Sequence, residues 1–77
     1  MTTLPPELLR HEEGEMVQLS FFLPREHMGY TKFILEGYDN LAIQTSTPGS
    51  TMVIWHTTRS RESEALALLV HLLSEFQ

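Results

Sequence analysis

The feature that most constrains this chain is a change of hydrophobic period across a single proline. In MVQLSFFLP, Val17, Leu19, Phe21 and Leu23 alternate with Met16, Gln18, Ser20 and Phe22 as far as Pro24. A period of two marks a half-buried strand, and proline ends it by removing a ladder donor. Directly after it, REHMGYTKFILEGY sets Met28, Thr31, Ile34, Leu35 and Tyr38 at helical spacing, with Tyr30, Phe33 and Gly37 on an adjoining stripe. Gly37 is expected in the left-handed conformation that closes this helix, and Asp39 and Asn40 continue the turn.

A hairpin follows. LAIQTS and TMVIWHT read as strands around TPGS, where Pro48 and Gly49 supply the turn chemistry. One face carries Leu41, Ile43, Thr45, Met52, Ile54 and His56, and the other Ala42, Gln44, Ser46, Thr51, Val53 and Trp55. SRESEALALLVHLLSEFQ is then a second helix, with Ser60 as N-cap and Glu62 and Glu64 near the positive end of its dipole. Leu66, Leu69, Leu73 and Phe76 form its apolar stripe, widened by Ala65, Leu68 and Leu72.

The expected architecture is α+β: a ferredoxin-like β-α-β-β-α two-layer sandwich, with a three-stranded antiparallel sheet and two helices on one face. One sheet edge beside the first strand is left vacant. Residues 15–77 are read as a single domain, because 77 residues bury only about 60% of their unfolded surface and cannot supply two cores. Residues 1–14, with Pro5, Pro6 and no sustained period, read as a loosely ordered N-terminal tail.

The segment LPREHMGYTKFILEGYDNLAIQ resembles the signature of an uncharacterised family of short bacterial proteins. The pattern is a strand ending in proline, a helix containing KFI-E-Y, and LA opening the next strand. Here those positions are Lys32, Phe33, Ile34, Glu36, Tyr38, Leu41 and Ala42. The resemblance runs from Met16 to Phe76. It implies a compact domain of ferredoxin-like type and no activity, since that family is itself a domain of unknown function.

Composition removes several function classes. The chain has no cysteine, which excludes a disulfide scaffold, a thiolate zinc site and a cysteine nucleophile. Ten acidic and five basic side chains give a net charge of −5, which opposes general affinity for nucleic-acid backbones or anionic membranes. The N-terminus has neither the basic nor the apolar region of a signal peptide, and ALALLV is far short of the about 20 residues that span a bilayer. A cytoplasmic protein without membrane partners is expected. The four histidines show no ligand spacing, so neither a metal nor another cofactor is expected. No glycine-rich phosphate loop, nucleophile elbow or HExxH motif is present, and no spacing fixes a trio of Ser60, His56 and Asp39. Nothing here supports catalysis.

Two surfaces remain as candidates. With the helices over Ile43, Ile54 and His56, the open sheet face carries Phe22, Val53 and Trp55, an apolar cluster of the kind that marks protein contacts. Arg59 and Arg61 flank Ser60 at the start of the second helix, where free N–H groups could hold a carboxylate or phosphate. The expected function is a non-enzymatic interaction module that forms a homodimer or binds another protein. The alternatives are an anion-sensing domain and a binder of single-stranded RNA that stacks bases on Phe22 and Trp55.

Overall fold

A computed structural model describes residues 8–76. Its elements are β1 (Leu9–Glu13), β2 (Met16–Phe22), α1 (Arg25–Glu36), β3 (Ile43–Ser46), β4 (Met52–Thr58) and α2 (Glu62–Glu75). The strands form one antiparallel sheet in the order β1-β2-β4-β3. Both β2 and β3 run antiparallel to β4, so β2-α1-β3 is a split unit with β4 inserted between its parallel strands.

The sheet has four strands rather than three, and the element order is β-β-α-β-β-α in place of the expected ferredoxin-like β-α-β-β-α. The additional strand comes from the stretch read as tail. Leu9 to Glu13 pair with Ser20 to Met16 and fill the edge left vacant beside β2. Gly14 makes this hairpin, at a φ of 62° that glycine adopts without steric cost. Every side chain of β1 is exposed, so no apolar alternation announced it. The part of the tail before Leu8 lies outside the described residues.

One core joins the layers. Val17, Leu19, Phe21, Leu23, Val53 and Trp55 of the strands and their ends meet Leu35 of α1 and Ala65, Leu69 and Leu72 of α2. Phe21 and Trp55 pack edge to face, with ring centroids 5.9 Å apart. A polar network ties α1 to this core. Gln44 Oε1 accepts from the Trp55 indole at 3.0 Å and lies 2.9 Å from the Thr31 hydroxyl, while Gln44 Nε2 donates to the Met28 carbonyl at 3.1 Å. These bonds compensate the polar groups for lost water, since an unpaired buried group costs about 1–3 kcal/mol.

This packing corrects the face assigned to the hairpin. Leu19 is register partner of Trp55 and Phe21 of Val53, so these side chains share the helix-covered face and both Val53 and Trp55 are fully buried. Ile43, Ile54 and His56 lie on the opposite, open face. The pairing of β2 with β4 crosses about thirty intervening residues, and a choice between two apolar faces depends on it.

Two local expectations also change. Gly37 closes α1 in right-handed geometry, with φ −77° and its N–H on the Ile34 carbonyl, followed by the Tyr38 N–H on the Leu35 carbonyl, while Asn40 takes the positive φ of 54°. The N-cap of α2 is Arg61 and not Ser60, and no side chain caps it. The TPGS turn forms with Gly49 at φ 80° and the Ser50 N–H donating to the Thr47 carbonyl.

Candidate functional site

The register defines the open face row by row. His11, Gln18, His56 and Ile43 are successive neighbours across β1, β2, β4 and β3, as are Leu9, Ser20, Ile54 and Thr45. Phe22 and Met52 extend the face at one end, and Glu13, Met16 and Thr58 at the other. Its apolar members are accessible to solvent: Ile43 is 68% exposed, Leu9 63%, Phe22 58% and Met16 50%. Met52 and Ile54 are half-buried on the same side. Among the residues of these rows, Glu13 is the sole carboxylate, and there is no lysine or arginine. His56 Nε2 lies 2.9 Å from the Thr45 hydroxyl. His11, Glu13, Met16, Gln18 and His56 line a depression of about 230 Å³.

Of the three residues expected on this face, Phe22 alone is there. Val53 and Trp55 belong to the core, so the aromatic pair on which base stacking rested is split between two faces. Leu9, Ile43, Ile54 and Met52 replace them, and for Met52 and Ile54 the sequence did offer a signal: β4 is apolar at consecutive positions, on both of its sides.

The three anion candidates diverge. Arg59 turns to the β1–β2 hairpin, where Nη2 meets Glu12 Oε1 at 2.7 Å and Nε donates to the Gly14 carbonyl at 2.8 Å. Arg61 Nε approaches Glu64 at 3.5 Å, and its Nη1 donates to the Asp39 carbonyl at 3.3 Å. Ser60 Oγ lies 3.2 Å from Thr58 Oγ1. Each arginine already has a carboxylate and a carbonyl of this chain.

Arg59 belongs to a larger ion network that the sequence did not reveal. Arg10 of β1 grips Glu62 with both Nε and Nη2, the latter at 2.7 Å from Oε1, and reaches Glu12 Oε2 at 2.6 Å. Bidentate pairing with Arg10 holds the Glu62 carboxyl below its ordinary value, against the opposing effect of burial. The same bonds raise the Arg10 guanidinium above its ordinary value. The network runs along the helix side of β1 and fastens the edge strand to the start of α2.

A second concavity of about 390 Å³ lies at the far end of the helices, lined by residues including Leu8, Phe22, Pro24, His27, Leu73 and Phe76. Here His27 stacks on Phe76 at 4.0 Å between ring centroids. His71 lies 3.1 Å from Glu75 across one helical turn. Among the described residues no three histidine, aspartate or glutamate side chains converge as a metal site would require. Ser60, His56 and Asp39 each have separate neighbours, and no catalytic trio forms. No helix of the described residues is long and apolar enough to cross a membrane.

Comparison with known families gives one match. The profile of a family described as a domain of unknown function, DUF4911, aligns with residues 21–75. The chain belongs to this family. The DUF4911 segment begins within β2 and takes in α1, β3, β4 and α2, the split unit and its second helix. No curated protein and no solved structure matches the chain.

Proposed function

We propose that this DUF4911 domain is a non-enzymatic interaction module that binds a second copy of itself through its open sheet face. The observation that carries this reading is the character of that face: Leu9, Phe22, Ile43, Met52 and Ile54 form a nearly uncharged apolar surface on a chain of net charge −5. Contiguous exposed apolar surface of this kind marks a contact site. The charge is concentrated elsewhere, so two such faces meet without strong like-charge repulsion at their centres.

The two longer extents of the molecule, 31 and 24 Å, set an upper limit of about 740 Å² on such a footprint, slightly under the roughly 800 Å² per partner of a standard interface. Two sheets stacked face to face interdigitate side chains across about 10 Å.

The test compares the wild type with Ile54→Lys by light scattering. Ile54 lies on the inner strand β4, between Ser20 and Thr45, so a lysine there puts an ammonium at the centre of the contact. The expected result is a halving of the assembly mass with unchanged far-ultraviolet circular dichroism. Leu9→Lys, on the exposed edge strand, provides a second variant with little influence on folding. Wild-type mass in both variants would show that this face is not the contact.

A further inference from the structure

We infer that β3 is a pairing edge for the β3 strand of a second copy, producing a continuous eight-stranded antiparallel sheet about a two-fold axis. The two edges of this sheet differ sharply. β1 carries Arg10, His11, Glu12 and Glu13 in five residues, and charges of this kind protect an edge from strand addition. Arg10 and Glu12 are in addition tied down by Glu62 and Arg59. β3 reads Ile43-Gln44-Thr45-Ser46, with no charge and no proline. Beside it, Lys32, Leu35, Glu36, Ala42, Ile43 and Gln44 line a cleft of about 220 Å³ between the strand and α1.

Symmetry and charge favour a second copy as the occupant. Pairing β3 with the β1 of another molecule would leave a free edge at each end and propagate into a fibre, whereas β3 on β3 closes after two copies. The flank of α1 above this edge carries Lys32 and Glu36 one turn apart, and neither has an ion pair among the described residues. In an antiparallel register centred on Ile43, the two-fold axis sets Lys32 of each molecule against Glu36 of the other.

The spacing fits. Gln44 links α1 to both β3 and the Trp55 indole of β4, so the helix lies over that strand pair. With strands about 4.8 Å apart, the two copies of α1 stand about 10 Å apart across the axis, the usual separation of packed helices. Both open faces then lie on one side of the joined sheet, with Ile43 beside its symmetry mate at the seam. The edge contact is made by the free side of β3 and the flank of α1, shares only Ile43 with the face-to-face contact proposed above, and is tested independently of it. Both together give a four-copy assembly.

The decisive experiment uses charge exchange in the Ile54→Lys background, which removes the face contact. There the chain is expected to be a dimer by light scattering. Lys32→Glu and Glu36→Lys each place like charges across the axis, and each is expected to raise the dissociation constant roughly tenfold or more. An equimolar mixture of the two variants restores every attractive pair and is expected to form a heterodimer of near-parental affinity. Pairing within one helix cannot produce that rescue. A monomeric Ile54→Lys chain would overturn the edge inference while leaving the face reading intact. Single variants that stay fully dimeric, or a mixture that fails to associate, would overturn it as well.

Discussion

Replacing Trp55 separates the core placement of this side chain from any surface role. A buried tryptophan removes about 150–250 Å² from water, worth roughly 4–6 kcal/mol at about 25 cal/mol per Å². Truncation to alanine in a packed core costs about 3–5 kcal/mol, because the cavity closes only in part. A domain of 77 residues has a total stability of about 4–12 kcal/mol, so Trp55→Ala is expected to remove about a quarter or more of it. Trp55→Phe keeps most of the apolar volume and the edge contact with Phe21, but loses the donor to Gln44 Oε1. That oxygen still has the Thr31 hydroxyl within hydrogen-bond distance, so the expected cost is about 1–2 kcal/mol. Urea unfolding followed by circular dichroism measures both variants, with an unchanged slope showing that the midpoint reports stability. Because Trp55 is the one tryptophan of the chain, its fluorescence in the wild type gives a second readout and should resist quenching by acrylamide. An alanine variant within about 0.5 kcal/mol of wild type, the range of ordinary surface substitutions, would refute the core assignment.

The Arg10–Glu62 pair makes stability depend on acid. The folded Glu62 carboxyl titrates below its ordinary value, so its contribution is complete above the ordinary carboxylate range and is lost as pH falls through the depressed folded value. Denaturant midpoints measured down the acid limb should therefore fall less steeply for Glu62→Gln than for wild type, and identical slopes would dismiss the pair as a stabilising contact. Gly14→Ala tests the hairpin that builds β1. No atom lies within 4 Å of the added Cβ, so the cost is backbone strain alone, about 1–2 kcal/mol for a left-handed residue. Amide exchange should accelerate in Leu9–Glu13 while the centre of β4 is little affected, and unchanged exchange in β1 would argue against the turn.

The elements legible in the sequence are those with one apolar side and one period. β2 alternates cleanly, and the split unit through α1 follows from the proline that ends it. Both helices show stripes that the core uses, Thr31 and Leu35 in α1 and Ala65, Leu69 and Leu72 in α2. β1 was not legible because its place is held by charge: Arg10 and Glu12 serve it through ion pairs with residues about fifty positions away, which no local period records. The same distance hid the Arg59 contact with Glu12 and made the loop before α2 look like an anion site.

The error over the open face has a different origin, and it bears on function. β4 offers Val53 and Trp55 on one side and Met52 and Ile54 on the other, and β2 adds Phe22 to the second side. A strand buried on one face in a two-layer domain ordinarily alternates apolar with polar residues. Apolar residues on both sides of an inner strand suit a sheet covered twice, as in layered α/β proteins and sandwiches. Here α1 and α2 lie over the Trp55 side, and the described chain supplies no element for the Ile54 side. The doubly apolar character of β4, which leaves its buried side ambiguous in the sequence, is therefore the same physical fact that supports an interaction module. An inner strand with an exposed apolar side is the kind of surface a further layer covers, and the proposed self-association would cover it with the sheet of a second copy.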